Sequence, residues 1–328
     1  MKVALLDDDP RVVESLPSFL EFARASEHEI TVWHEHTKDT AVLAGRLRDT
    51  DALILLRERT PVSAALIERL PRLRLITLNG PYPHVDVAAC TQHGIVICTG
   101  KPQPSYATAE LTWGLMIAAM RRIPQEMARL KARTWQGSVG TGLRGNTLGI
   151  FGYGTIGRQV AGFGKAFGMQ VLVWSRAKGL AAATADGYDV AQSKEALFET
   201  ADVVTVHVRL VAETRGMITA ADLAHMKSTA LFVNTSRAGL VEPDALANAL
   251  RNGRPGMAAV DVYEEEPVVG PHPLIDMDNV VCTPHLGYVE RSQLDRYYRG
   301  QFARITAFAH GEPIEVINPE ALNYRKAG

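Results

Sequence analysis

The stretch Leu148-Gly149-Ile150-Phe151-Gly152-Tyr153-Gly154-Thr155-Ile156-Gly157 decides the fold. Its first four residues are apolar and read as a buried strand, and 158–167 reads as a helix. A strand, a Gly-x-Gly-x-x-Gly turn and a helix in that order form a dinucleotide-binding fingerprint. Gly152 permits the tight turn, Gly154 lets a pyrophosphate approach the backbone, and Gly157 lets helix and strand pack closely. The helix opening after Thr155 and Ile156 offers free N–H groups and a partial positive charge. The motif begins at residue 152, so a whole domain's length of chain precedes it.

Working outward, the first hundred residues alternate short β-branched or aliphatic runs (3–7, 30–33, 52–56, 73–78 and 95–99) with helical spacing over 12–25, 40–48 and 62–70. That alternation predicts a parallel sheet covered by helices. Residues 105–133 read as a long helix that Pro124 breaks or kinks. From Leu148 a second α/β series begins, with strands near 148–152, 170–174, 203–208, 230–235, 257–262 and 279–283, the six of a dinucleotide fold. An amphipathic segment over 290–310 and a short tail follow. At 328 residues, two domains are expected.

Bulk properties exclude several classes. A formal net charge of −1 gathers neither nucleic acid nor anionic membrane. The three cysteines, Cys90, Cys98 and Cys282, lack metal-ligand spacing and fit a reduced, cytoplasmic setting. Asp7-Asp8-Asp9 arrives too early for a secretory signal, and the apolar run 111–120 is too short for a membrane span.

Three polar residues sit just past strand ends in the second series: Arg237 after 231–236, Glu266 after 260–263, and His285 after 279–284. In a parallel sheet the carboxyl ends of strands share one edge, where ligands bind. The residue types suit hydride transfer at a carbon bearing oxygen. Histidine moves a proton near neutral pH, a neighbouring carboxylate favours its charged form, and an arginine fork grips a carboxylate.

These residues resemble the D-isomer-specific 2-hydroxyacid dehydrogenases. The matching blocks are 148–157, Val206-His207 with Thr214-Arg215-Gly216-Met217-Ile218, 234–241, 259–267 and 282–287, with weaker similarity from about Ala52 to the tail. The resemblance implies an α/β fold of two doubly wound domains. A Rossmann domain (104–286) is inserted into a flavodoxin-like substrate domain (1–103 and 287–328). It makes Arg237 the substrate-binding arginine, Glu266 the acidic partner and His285 the acid/base. Cofactor contacts fall to Gly152, Gly154, Thr155, Ile156, Gly157, Ser175, Arg176, His207, Thr214, Thr235, Thr108 and Asp261, the last near the nicotinamide. Substrate contacts fall to Asn79, Gly80, Tyr82 and Arg237. A homodimer formed through the 105–133 region is also implied. In some relatives a residue placed like Trp135 reaches a neighbouring subunit's pocket, although a core or surface tryptophan is the simpler reading.

The strand 171–174 ends in Ser175-Arg176, with Lys178 beyond, where NAD-binding folds carry an acid. A hydroxyl and a guanidinium suit a 2′-phosphate, so NADP is favoured over NAD; the alternative has Arg176 stack on adenine or face solvent. The expected activity is reduction of small 2-oxo acids such as glyoxylate or hydroxypyruvate.

The chain departs from the family in places. Pro81 and Pro83 remove N–H groups from the loop Asn79-Gly80-Pro81-Tyr82-Pro83-His84, where relatives hold the substrate carboxylate. The loop 100–104 is unusual, and Tyr288 stands where small residues are common. Glu266 retains the acid that formate-oxidising relatives replace.

Rival readings fare less well. Asp7–Asp9 and Lys101-Pro102 look like a phosphorelay receiver, but the third strand ends in Arg57-Glu58 without a phosphoacceptor, leaving the aspartates as a strand-end turn. His34-Glu35-His36 reads as surface rather than as a metal site. A dinucleotide-sensing dimeric scaffold would retain the same residues, and only turnover separates it from an enzyme.

Overall fold

In a computed structural model of the chain, residues 1–100 and 106–324 are described. The loop 100–104 beyond Gly100 and the Lys101-Pro102 pair lie outside them. The chain divides into two compact units, Met1–Gln103 with Arg291–Gly328, and Pro104–Glu290.

The first unit is a parallel sheet of β1 (Lys2–Leu5), β2 (Glu29–Val32), β3 (Ala52–Ile54), β4 (Leu75–Asn79) and β5 (Val96–Gly100), in the order β2-β1-β3-β4-β5. This is the flavodoxin-like doubly wound order. One face buries Ala4, Leu53, Ile76 and Ile97. On the helix Arg291–Ala309, Phe302 stacks on Phe22 of the helix Pro17–Ala25, with centroids 4.5 Å apart. Segment 315–317 closes the edge of β5 through Thr99 N–H to Glu315 O and Ile317 N–H to Ile97 O, both 3.0 Å.

The helical spacing over 12–25 resolves into a 3-10 turn Val13–Ser15 and a helix from Pro17. Leu16, which precedes that proline, is extended at φ −78°, ψ 139° because the proline ring disfavours a helical predecessor. The buried Asp8 carboxylate accepts from Val12 N–H (3.0 Å) and Val13 N–H (3.2 Å), so it is a helix-start acid. His34 and His36 are half-buried rather than free on the surface. His36 Nδ1 lies 2.7 Å from the buried Asp7 carboxylate and His34 Nδ1 lies 3.3 Å from that of Asp8. The pairing binds the ends of β1 and β2, which spacing alone does not disclose. Among the described residues no His, Cys, Asp and Glu cluster has metal-binding geometry.

The second unit has seven parallel strands among the described residues: β6 (Thr147–Phe151), β7 (Gln170–Trp174), β8 (Asp189–Val190), β9 (Val203–Val206), β10 (Leu231–Asn234), β11 (Met257–Val260) and β12 (Val280–Cys282). Their order is β12-β11-β10-β9-β6-β7-β8. Six match the sequence expectation. The added β8 is two exposed residues long, too short to show a period. Both faces are buried, Phe151, Val206, Phe232 and Val260 on one and Ile150, Val203, Val233 and Ala259 on the other. Such burial explains the near-continuous apolar runs. The long helix over 105–133 is two helices, Tyr106–Met120 and Ile123–Lys131. The break comes at Arg122 (φ 53°) rather than at Pro124, which fits within the first turn of the second helix.

The chain leaves the second unit after residue 290 rather than 286. Gly287 is held in that unit by its N–H to Asp261 Oδ2 (2.8 Å) and by Thr108 Oγ1 donating to its carbonyl (2.6 Å). No helix among the described residues is long and apolar enough to cross a membrane.

In the first unit Arg304 is 4% exposed, donating from Nε to Glu315 (2.6 Å) and from Nη1 to Asn79 Oδ1 (2.9 Å). A Cβ on Gly100 would lie 1.8 Å from its Nη2, so the glycine makes room for the guanidinium. Arg304→Lys keeps the charge but loses the fork. Urea denaturation should show stability lower by about 1.5–3 kcal/mol, the usual worth of a charge-assisted hydrogen bond.

Candidate active site

The glycine loop follows β6, at the point in the sheet where strand order reverses between β6 and β9. Gly152 has φ 101°, and a Cβ there would meet His207 O at 2.7 Å. A Cβ on Gly157 would meet Gly152 O at 2.2 Å, so only glycine lets the helix sit this close. Around Gly154 nothing among the described residues lies within 4 Å of such an atom. The helix Thr155–Ala166 begins three residues earlier than its apolar spacing shows, and no side chain caps it at Gly154. Its first N–H groups and the open space at Gly154 suit a pyrophosphate. His207, at the end of β9, donates its N–H to Phe151 O (2.8 Å) and contacts Thr205 Oγ1 through Nε2 (3.0 Å). Its Nδ1 is buried without a partner among the described residues, and burial pushes the ring down to about 3, so it stays neutral. An unpartnered polar atom beside an open glycine turn is what a polar ligand would complete. These residues fit a dinucleotide.

Beyond β7, Ser175 Oγ accepts the Tyr153 N–H at 3.2 Å. Arg176 is exposed and precedes the helix Ala177–Ala185, whose start also lacks a side-chain cap. Asp186 takes the Tyr153 hydroxyl and Arg158 Nε at 2.7 Å each.

The loops after β10, β11 and β12 are neighbours because those strands are adjacent. After β10, buried Asn234 accepts Ser236 N–H and donates to Arg237 O, both 3.0 Å, so it fixes the loop carrying Arg237. After β11, Glu266 turns back so that Oε1 accepts Tyr263 N–H at 2.9 Å. Its Oε2 lies 2.6 Å from His285 Nδ1. Burial works to raise the Glu266 carboxyl. The His285 bond and charge, the Tyr263 N–H and the Arg237 charge outweigh it and hold the group below its ordinary range. After β12, His285 stands at φ 54°, a left-handed conformation costing about 1–2 kcal/mol.

That conformation is enforced by Asp261, which is fully buried. Its Oδ1 accepts Thr283 Oγ1 (2.6 Å) and Leu286 N–H (2.7 Å), and its Oδ2 accepts Gly287 N–H (2.8 Å). Burial raises its carboxyl above the usual range against the pull of those donors. Thr235 and Thr112 share a 2.7 Å hydroxyl contact, and Thr112 also donates to Thr108 O. Together with the Thr108 bond to Gly287, the helix Tyr106–Met120 therefore ties the Arg237 loop to the His285 turn. Thr214 is buried and spends its hydroxyl on Arg209 O (2.8 Å) within its own turn. Thr155 is exposed and Ile156 half-buried at the helix start.

Thus Arg237, Glu266 and His285 form one electrostatic group, while the glycine loop, Ser175 and His207 form a second cluster on the same sheet edge. Asn79, Gly80 and Tyr82 belong to the other unit. There the Asn79 amide is engaged at both ends, by Arg304 and by Tyr297 O (2.9 Å), and the Gly80 carbonyl takes Thr99 Oγ1 (3.0 Å). Tyr82 packs against the first unit's core.

Residues 113–287 match the family described as D-isomer specific 2-hydroxyacid dehydrogenase, NAD binding domain. The chain belongs to the D-isomer-specific 2-hydroxyacid dehydrogenases. It is an NAD(P)-dependent oxidoreductase. A glyoxylate reductase from Aeropyrum pernix is 34% identical over 97% of this chain and 99% of its own length. A D-3-phosphoglycerate dehydrogenase from Methanocaldococcus jannaschii is 39% identical over 75% of this chain but only 47% of its own. Among solved structures, a Ralstonia solanacearum protein provisionally named a D-3-phosphoglycerate dehydrogenase has TM-score 0.94 and 48% identity, covering 98% of each chain. A phosphoglycerate oxidoreductase from Vibrio cholerae has TM-score 0.90 and 42% identity, covering 95% of this chain and 99% of that one.

Sequence reading missed the supporting residues. Tyr263, Thr283 and Thr112 stand in or beside apolar strands and helices, where a hydroxyl gives no sign of its partner. The glycine geometry yields a paired test. Gly157→Ala should cost about 1–3 kcal/mol in a denaturation experiment, the usual cost of overpacking. Gly154→Ala should leave the fold intact but weaken dinucleotide binding by calorimetry.

Proposed function

We propose that this dehydrogenase is a cytoplasmic, homodimeric, NADP(H)-preferring reductase of small 2-oxo acids such as glyoxylate and hydroxypyruvate. The observation that carries the reading is the 2.6 Å pair of Glu266 and His285 Nδ1, with Arg237 acting on the same carboxylate. With Nδ1 committed to Glu266, Nε2 is the ring nitrogen left to hold and deliver a proton. Arg237 binds the substrate carboxylate with its fork and polarises the neighbouring carbonyl. His285 Nε2 gives its proton to the carbonyl oxygen as that oxygen gains charge, and Glu266 stabilises the imidazolium while its Oε1 stays anchored to Tyr263. Run in reverse, Nε2 takes the hydroxyl proton. The bound nicotinamide dinucleotide supplies or accepts the hydride. We assign dinucleotide binding to the second unit, and further substrate contacts beside Arg237 to Asn79, Gly80 and Tyr82.

The names of the Aeropyrum and related glyoxylate reductases support the substrate class. Exposed Ile123, Met127 and Leu130, spaced along one helix and followed by Trp135 at 75% exposure, support the dimer. For the cofactor, the support is a hydroxyl and a guanidinium after β7, where NAD-binding folds carry an acid. Ser175 accepts from Tyr153 and so keeps its own hydroxyl proton to donate, Arg176 is exposed, and Asp186 is engaged by Tyr153 and Arg158.

General acid–base catalysis typically contributes about 10²–10⁴-fold, so His285→Ala should lose at least that in kcat while binding dinucleotide normally. A fall of less than about tenfold in steady-state assays would sink the role. A kinetic matrix of NADPH and NADH against glyoxylate, hydroxypyruvate, pyruvate and phenylpyruvate addresses cofactor and substrate together. NADPH should give the higher kcat/KM, and Arg176→Ala should narrow the ratio by roughly tenfold or more, the worth of one charged hydrogen bond. A tenfold advantage for NADH overturns the preference.

A further inference from the structure

Tyr263 reaches both halves of the Glu266–His285 pair, the acid directly and the histidine through Thr283, without belonging to it. Its backbone N–H donates to Glu266 Oε1 at 2.9 Å, and its phenol donates to Thr283 O at 3.0 Å. That carbonyl also accepts the His285 N–H, at 3.0 Å across Pro284. One buried residue after β11 therefore anchors the carboxylate directly and, through Thr283, the turn that presents the imidazole. The ring is itself fixed. It stands edge-to-face to His272 at 5.1 Å and 84°, and His272 Nε2 lies 3.5 Å from Glu264. Burial raises the phenol above its ordinary value, so it remains a protonated donor.

We infer that Tyr263 is a positioning residue that sets the spacing of the Glu266–His285 pair, its backbone holding the acid and its hydroxyl holding the histidine turn. The inference rests on the acid–base reading of His285. Its physical basis is the geometry of proton transfer. The imidazole is useful only where Nδ1 meets the carboxylate while Nε2 meets the substrate, and a turn released at Thr283 lets the ring shift away from both. Thr283 is otherwise held by Oγ1 to Asp261 and by its N–H to Val260 O (3.0 Å). Neither of those bonds restrains its carbonyl.

Tyr263→Phe removes only the hydroxyl. The ring, its packing on His272 and the backbone bond to Glu266 remain. The expected result is a fall in kcat of about 3- to 10-fold, the worth of one net hydrogen bond, with dinucleotide Kd unchanged within about twofold. The deciding measurement is a double-mutant cycle. On a His285→Ala background the same substitution should change residual turnover by less than about twofold, because there is no imidazole left to place. An unchanged kcat on the native background overturns the inference, as does an equal loss on both backgrounds, which marks a purely structural role. If His285→Ala alone costs less than about tenfold, the acid–base reading fails and this inference falls with it. If that variant is crippled and Tyr263→Phe is silent, only the inference fails.

Discussion

A carboxylate with no solvent exposure is costly unless its oxygens are supplied with donors, and Asp261 meets this condition by bending the next strand's exit around itself. The hydroxyl of Thr283 and the amides of Leu286 and Gly287 all converge on it. Charge-assisted bonds of this kind are worth about 1.5–3 kcal/mol each, more than the about 1–2 kcal/mol that a left-handed histidine costs. The chain accepts φ 54° at His285 because three bonds outweigh one strained residue. Gly287 leaves room for that convergence, since a Cβ there would lie 3.2 Å from Asp261 Oδ2.

The rest of the group is placed by sheet order. Neighbouring strands lie about 4.8 Å apart. Arg237, Glu266 and His285 leave three strands that are consecutive in the sheet, β10, β11 and β12. A carboxylate in the middle is thus within reach of a cation on either side, and each loop carries its own brace: Asn234, the Tyr263 amide and Asp261. Thr108 and Thr112 then join the outer two loops through one helix. Each part of the group is thus separately held in place.

Much of this was legible in the residues because its causes are local. The glycine fingerprint is a backbone requirement, and Gly152 and Gly157 show it as φ 101° and as a would-be contact of 2.2 Å. Parallel strands buried on both faces announce themselves as apolar runs, and their carboxyl ends locate Arg237, Glu266 and His285. What stayed hidden depends on partners distant in sequence. His36 reads as surface until Asp7, 29 residues away, takes its Nδ1. Tyr263 donates its hydroxyl to the carbonyl of Thr283, 20 residues away. Strand β8 is too short for a period, and the break before Ile123 is set by a left-handed Arg122 rather than by the visible proline.

Charge balance links the pair to the substrate. With the imidazole neutral, Arg237 and Glu266 cancel. With it protonated, the group carries one net positive charge in a half-buried setting. Glu266 is held in its charged form by His285, Tyr263 and Arg237 against the opposing effect of burial. It can serve only one cation fully, and Arg237 and the imidazolium compete for it. An anionic 2-oxo acid resolves the competition on the proposed reading. Its carboxylate takes the Arg237 fork, so Glu266 is left to the imidazolium by the same event that delivers the carbonyl. A neutral ketone of equal size would bring the carbonyl without the charge, leaving Arg237 and His285 both dependent on one carboxylate. Selectivity for acids then comes from the proton as much as from the arginine.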